Sequence, residues 1–498
     1  MLKNVIIGVL AVALTISLTL RWVRPVPVAE PPPPVAIVPP VEVVTTPVVP
    51  EPEPEKEPEP DPRLAAFDKV IEAAKVDPGM AGAAIGFCLI DPSGNTIYEY
   101  GADVAQIPAS SLKTVTTATA LEVLGPEFRF KTRLGVSVSD GNGGSKGDLI
   151  LLGGGDPLLA ISDFETWAEG LAKAGMLSIP GRVIGDGRLF PGSPFADFWN
   201  WGDIGNGYGS PASGLNLEHN RFTAALKPGE KEGEPASLGE ILPAVPGVEW
   251  LNQSVTGAEG SGDGIVIHGG ERASVMHFRG SVPPGGEMIV KGAVPDPERF
   301  AAFHLREALL AAGIKVEGEA FGAGDLLLKN LPVSVIGEEL LVHQSPPLLD
   351  IITSIHATSD NHETECAFRM LGLETGLPPD EAIRKHWEQR GLDLSGLRMV
   401  DGSGLARADY ITPRALAHLQ HLVSTGPKGK EYLESLLVAL DGTLRFKAGA
   451  MSAVRSYTGL LDTASGQRLS FALIVNHYAE SSAVQTLQGG LFEAMAAW

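Results

Sequence analysis

The sequence predicts a mixed α/β fold of the α+β kind: an antiparallel sheet flanked by helices and interrupted by a β-rich insertion of one or two modules. Three observations carry this expectation. Hairpin patterns occur near both ends of the chain, at 83–100 and 454–475, and each is flanked by a terminal helix pattern. Between about Lys131 and Ile336 the texture changes, with dense Gly and Pro and only short apolar runs. Helical spacing returns at Pro347. A chain of 498 residues has room for more than one domain, and 44% apolar with 20% charged residues is an ordinary globular composition. The formal charge of −22 argues against a nucleic-acid partner.

The first 24 residues read as an address. Lys3 precedes the apolar run Val5 to Leu20, and Arg21-Trp22-Val23-Arg24 follows. The run is long for a signal-peptide core and slightly short of the roughly 20 residues that span a bilayer. With no clean Ala-x-Ala site after it, an uncleaved membrane anchor is the expectation and a cleaved export signal the alternative. Both deliver the rest of the chain outside. Residues 25–62 are Pro, Val and Glu, ending in Glu-Pro repeats that cannot bury a core. They predict an extended, self-repelling spacer rising about 3.1 Å per residue.

Residues 63–132 open the folded part. Leu64 to Val76 has helical spacing, Ala83 to Ile90 reads as a strand, and Thr96 to Tyr100 returns after the turn at Asp91-Pro92-Ser93-Gly94-Asn95. The stretch Pro108-Ala109-Ser110-Ser111-Leu112-Lys113 then runs into a helix with Leu112, Val115, Ala118, Leu121 and Leu124 on one face, ended by Gly125-Pro126. Ser110 falls in the first turn and Lys113 three residues on, on the same side. An amine one turn from a hydroxyl can take its proton, and the free N–H groups of a helix start can receive an oxyanion. Alone, Ser-x-x-Lys is an ordinary helix start; two downstream motifs give it weight.

Residues 133–336 form the predicted insertion, with short runs such as Leu149 to Leu152, Arg182 to Ile184, Gly264 to Ile267 and Met288 to Val290, and one clear helix at Phe300 to Ala312. His219, His268, His277 and His304 have no metal-ligand spacing in the chain.

Residues 337–498 return to the first pattern. A helix from Pro347 leads to Ser359-Asp360-Asn361 and a second helix through Leu371. Ser-Asp-Asn is a common capping tripeptide; as chemistry, its hydroxyl can relay a proton to a leaving amine and its amide can hold a substrate peptide and a lysine. His356, His362, Glu363 and Glu365 contain no His-Glu-x-x-His, so no metal and no cofactor are expected. After the loop Asp401-Gly402-Ser403-Gly404-Leu405 and a helix at Pro413 to Val423 comes Lys447-Ala448-Gly449, read as opening a strand-turn-strand. A lysine there can hold a carboxylate, Gly449 lets backbone approach a ligand, and the N–H of Ala450 can face an oxyanion. A helix from Ser482 to Trp498 closes the chain. Cys88 and Cys366 make at most one bridge; two buried thiols are the expected state.

Ser-x-x-Lys, Ser-Asp-Asn and a Lys-x-Gly strand, in this order, resemble the signature of penicillin-binding proteins and serine β-lactamases. The roughly 250 residues between Ser110 and Ser359 call for an insertion of domain size. That gap, with Gly153-Gly154-Gly155-Asp156-Pro157, Asp401-Gly402-Ser403-Gly404-Leu405 and Asp441-Gly442-Thr443-Leu444, resembles the class C low-molecular-mass penicillin-binding proteins, the D-alanyl-D-alanine carboxypeptidases/endopeptidases.

The resemblance implies a β-lactamase/transpeptidase-like domain acting on peptidoglycan stem peptides in the bacterial periplasm, inhibited by β-lactams. It makes Ser110 the acylated nucleophile, Lys113 its base, Ser359 and Asn361 the proton shuttle and amide holder, and Lys447 the carboxylate binder. The N–H groups of Ser110 and Ala450 would form the oxyanion hole, with Gly449 letting the backbone approach the substrate. The family's third motif carries Thr or Ser where this chain has Ala448, and the stretch between Asp441 and Lys447 is shorter than the family's. Weakened turnover is therefore expected. A catalytically impaired wall-binding relative and a β-lactamase are the alternatives.

Overall fold

A computed structural model describes residues 61–137 and 147–498. The expected anchor and most of the expected spacer lie outside the described residues, among which no helix is long and apolar enough to cross a membrane.

The central sheet has six strands, all antiparallel, in the order Leu437–Ala439, Leu444–Met451, Val454–Asp462, Arg468–Asn476, Ala84–Ile90, Thr96–Tyr100. The two ends of the folded chain thus meet in one sheet, with Ala84–Ile90 paired to Arg468–Asn476 from Ala84↔Asn476 to Ile90↔Ser470. Strand alternation sends Phe87 and Leu89 to one face and Cys88 and Ile90 to the other. Both faces are covered, which is why Ala84–Ile90 is apolar almost throughout. The first face carries the terminal helices Leu64–Val76 and Ser481–Ala496, whose Phe67, Ile71, Leu487 and Leu491 pack on Phe87, Phe471 and Leu473. The second carries the helices Lys113–Val123, Leu348–Thr358, Asn361–Thr375 and Pro413–Ser424.

A five-stranded mixed sheet, in the order Ala320–Gly322, Val183–Asp186, Leu149–Leu152, Lys131–Ser137, Ile336–Gln344, has its own core with the helices Ile161–Lys173 and Pro297–Ala311. Two three-stranded sheets lie in the same stretch of chain, including Met288–Ala293, Arg221–Lys227 and Ser237–Leu242.

Three local expectations need correction. Ser110 lies in a 3-10 turn, Ala109–Leu112, and the α-helix starts at Lys113; Ala109 just before the serine has φ 49°, so regular helix cannot begin there. The helix Ile161–Lys173 was passed over although Ile161, Phe164, Ala168 and Leu171 have helical spacing; Asp163 caps it by accepting from the Ala160 N–H at 2.9 Å. Lys447 sits inside the strand Leu444–Met451 and does not open it. Cys88 and Cys366, by contrast, are free and buried as expected.

Candidate active site

The 3-10 turn and the helix after it present Ser110 and Lys113 to a common point. Lys113 Nζ is 2.9 Å from Ser110 Oγ, 2.6 Å from Asn361 Oδ1 and 2.8 Å from the carbonyl oxygen of Ser403. The lysine is fully buried, with Ser110 half-buried beside it. Burial pushes the Lys113 amine down to about 8, against the pull of the Asp401, Glu365, Asp360 and Asp409 carboxyls toward the charged form. The free-base fraction at neutral pH is therefore larger than that of an ordinary lysine, though still the minor form.

Asn361 and Ser359 flank the junction of two helices. Ser359 ends Leu348–Thr358 in the left-handed conformation (φ 60°), and Asp360 caps Asn361–Thr375 by accepting from the Glu363 N–H at 3.0 Å. This tight reversal throws the Ser359 hydroxyl and the Asn361 amide toward the lysines. Asn361 Nδ2 donates to the carbonyl of Tyr208 at 2.8 Å, which fixes the amide oxygen on Lys113. A cleft of about 460 Å³ runs along Ser359–Asn361, with Tyr208, Arg221 and Lys291 on its other side.

The strand Leu444–Met451 forms the remaining wall. Beyond Phe446 it has no outer strand partner among the described residues, so its outer edge is free there. Lys447 Nζ donates to Ser359 Oγ at 2.9 Å and to the Ala448 carbonyl at 2.8 Å. Burial, helped by the charge of Lys113, pushes Lys447 down to about 7. Gly449 lies against the backbone of the Ser110 turn: a Cβ there would stand 2.7 Å from the Ser110 nitrogen and 2.7 Å from the Pro108 carbonyl oxygen. Ala450 is exposed on the same edge. Contacts thus join Ser110, Lys113 and Asn361, Ser359 and Lys447, and Gly449 with the Ser110 backbone; of the seven residues expected from the sequence, Ser359 and Asn361 line the cleft.

Three partners were not expected. The Ser403 carbonyl holds Lys113, Tyr208 O holds Asn361, and Trp199 Nε1 donates to Asp401 Oδ2 at 2.7 Å. The first two are backbone atoms, which no side-chain motif advertises; the Gly-punctuated loop at Asp401–Gly404 was the available signal. His356, tempting as a metal ligand, is buried with Nε2 2.9 Å from Thr117 Oγ1 and Nδ1 3.0 Å from Ser435 Oγ, and burial pushes it down to about 3. His219, Asp360 and Glu363 come within metal-ligating reach of one another. There His219 already bonds Glu363 at 2.9 Å and Arg221 already pairs with Asp360 at 2.6 Å.

Residues 67–496 match the family model described as the D-Ala-D-Ala carboxypeptidase 3 (S13) family. A D-alanyl-D-alanine carboxypeptidase from Actinomadura sp. (strain R39) is 28% identical over 450 residues, which cover 84% of this chain and 82% of that protein. The D-alanyl-D-alanine carboxypeptidase DacB of Haemophilus influenzae is 24% identical over 426 residues, 80% of this chain and 86% of its own length. In fold, the chain is similar to the crystal structure of penicillin binding protein 4 from Haemophilus influenzae, with a TM-score of 0.74 at 20% identity, covering 87% of this chain and 99% of that one.

Proposed function

We propose, from the premise that the chain belongs to the D-Ala-D-Ala carboxypeptidase 3 (S13) family, that this serine-type carboxypeptidase works through an acyl-enzyme on Ser110. The activity is hydrolysis of the D-Ala-D-Ala bond of peptidoglycan stem peptides, with endopeptidase action on cross-links as its companion. The observation behind the residue roles is the position of Lys113 Nζ, 2.9 Å from Ser110 Oγ and fully buried.

The amine of Lys113 takes the proton of Ser110 as Oγ attacks the carbonyl carbon of the penultimate D-Ala. The oxyanion that forms is received by the N–H groups of Ser110 and Ala450. As the C–N bond breaks, the leaving D-Ala amine takes the proton from the Lys113 ammonium, relayed through the Ser359 hydroxyl. Asn361 holds the substrate amide, and Lys447 pairs with the terminal carboxylate, which favours the charged lysine and offsets its depression. Water, deprotonated by Lys113, then hydrolyses the ester and returns the proton to Ser110 Oγ. A β-lactam follows the first half of this path and leaves a slowly hydrolysed ester.

In this reading residues 63–132 and 337–498 are the catalytic domain and 133–336 its insertion. Separate apolar cores on the six-stranded and five-stranded sheets support that division, with the paired strands Lys131–Ser137 and Ile336–Gln344 carrying the chain across the junction. The N-terminal apolar run and Pro/Glu spacer would tether the enzyme in the cell envelope.

A fluorescent penicillin tests the assignment. It should label the protein stoichiometrically on Ser110, and Ser110→Ala should abolish the label while keeping the melting temperature. Labelling that survives in Ser110→Ala, or none in the parent, would overturn the role of Ser110. Rapid release of hydrolysed drug from the parent would point to a β-lactamase.

A further inference from the structure

Free amines have two N–H bonds and one lone pair, so a lysine base works only if its two hydrogens are held elsewhere. Here Asn361 Oδ1 and the Ser403 carbonyl supply those two acceptors, leaving the lone pair for Ser110 Oγ. The Ser403–Gly404 peptide is itself gripped from the far side: the Gly404 N–H donates to Asp401 Oδ1 at 2.6 Å. Asp401 also accepts from the Ser403 N–H at 3.0 Å, the Ala406 N–H at 2.8 Å and Trp199 Nε1 at 2.7 Å, and it is completely buried.

We propose that Asp401 is a positioning residue for Lys113: its carboxylate orients and polarises the peptide whose carbonyl holds the amine, so that the lone pair faces the nucleophile. The chain of contacts runs Asp401, peptide, Lys113, Ser110. The inference rests on Lys113 being the base.

The surroundings say which charge matters. From the helix Asn361–Thr375, Glu365 Oε1 accepts from the Gly402 and Ser403 N–H groups at 3.0 and 2.8 Å, and Arg369 sits one turn on. Burial and then Asp401 raise the Glu365 carboxyl. From the same loop, Asp409 Oδ1 accepts from the Val400 N–H at 2.7 Å, while its buried Oδ2 has no N–H or O–H donor and faces Asp401. Burial and Asp401 push Asp409 up to about 10, so it stays protonated and donates to Asp401. Asp360, Lys447 and His356 complete the titratable groups around Lys113. Among the carboxyls, Asp401 pulls hardest toward the ammonium form.

The test is the pH profile of penicillin acylation together with kcat and KM on a D-Ala-D-Ala peptide. In the parent the rate should rise with pH through about 8, as Lys113 loses its proton. Asp401→Asn should lower kcat roughly ten- to hundredfold, the scale of a general-base contribution partly lost. KM should stay within about twofold, because Asp401 is buried away from substrate. With the carboxylate gone the acid limb should move to lower pH. Asp409→Asn, which replaces a neutral donor with another, should leave the limb in place.

A folded Asp401→Asn enzyme with unmoved limb and unchanged kcat overturns the proposal, as do a rise in KM alone and equal limb shifts in the two variants. Should Asp401→Asn not fold, Trp199→Phe carries the test. Removing the indole donor loosens the Asp401 carboxylate that grips the Ser403–Gly404 peptide, so kcat should fall roughly three- to tenfold with KM little changed; an unchanged kcat overturns it. A parent whose Ser110 is never acylated would defeat the lysine-base reading itself, whereas an acylated parent with an unaltered Asp401→Asn would defeat this inference alone.

Discussion

Ala448 stands where the family resemblance leads one to expect a hydroxyl. It lies on the free edge of Leu444–Met451, between Lys447 and Gly449, and its carbonyl accepts from Lys447 Nζ at 2.8 Å. A hydroxyl bonded to a substrate carboxylate would be charge-assisted, about 1.5–3 kcal/mol, or roughly ten- to hundredfold in rate. Ala448→Thr should therefore raise kcat/KM on a D-Ala-D-Ala peptide by about tenfold; a steady-state comparison that gives an unchanged or lower value would refute a cost of the missing hydroxyl. Residues such as Ser110, Lys113, Ser359, Asn361 and Lys447 were legible in the sequence because their chemistry resides in side chains at short, motif-like spacings. Ser403 and Tyr208 were not. They act through carbonyls that every residue possesses, and only the fold decides which carbonyl meets an amine.

At the scale of elements, the nucleophile turn and the edge strand are fitted together so closely that their separation is set by the absence of side chains. Gly404, at φ +76°, has no room for a Cβ against the Ala109 carbonyl, and Gly449 has none between Ser456 Oγ, the Pro108 carbonyl and the Ser110 nitrogen. Ser456 Oγ in turn donates to that Pro108 carbonyl and ties the second strand of the hairpin to the turn. Gly449→Ala must push the strand outward, widening the gap between the N–H groups of Ser110 and Ala450 that the proposed mechanism uses as its oxyanion hole. Overpacking of this kind costs about 1–3 kcal/mol, and misplacing an oxyanion donor costs roughly 10²–10³ in rate. The expected result is a melting temperature lower by a few degrees with penicillin acylation slowed about a hundredfold; near-parental acylation would show that the contact is not rate-setting. Periodicity read the helices and hairpins of this region well, since Leu64–Val76 and Pro413–Ser424 bury one apolar stripe each. It misread the start of the nucleophile helix, because the 3-10 turn follows from the positive φ at Ala109 and not from any pattern of apolar residues. It also missed Ile161–Lys173 where Gly and Pro on either side dominated the reading.

Across the whole molecule, residues far away in the chain support the Ser-Asp-Asn turn. Arg221, at the start of the strand Arg221–Lys227, pairs with Asp360 at 2.6 Å; His219 reaches Glu363 at 2.9 Å, and His362 Nδ1 lies 2.9 Å from the Pro211 carbonyl. None of this was visible in sequence spacing, since Arg221 and Asp360 are 139 positions apart and only folding of both segments creates the pair. Burial alone would raise the Asp360 carboxyl, yet Arg221 holds it well below the ordinary carboxylate range. A carboxyl depressed on folding contributes stability that is present above its unfolded pKa of about 3.9 and is lost as pH falls through the folded value. Arg221→Leu removes that contribution and leaves a largely buried carboxylate unpaired, a change that costs up to about 3–5 kcal/mol when burial is complete and less here, where the Asp360 side chain keeps 10% of its exposure. The parent should thus melt several degrees above the variant at pH 7, and the gap should narrow as pH drops below about 4. Because Ser359 and Asn361 flank Asp360, kcat/KM should fall with it, about tenfold or more. Adding Asp360→Asn, which deletes the stranded charge and keeps a capping side chain, should recover much of the stability. Equal melting curves for parent and Arg221→Leu across pH 3–7, with activity intact, would mean that the turn holds its shape without Arg221.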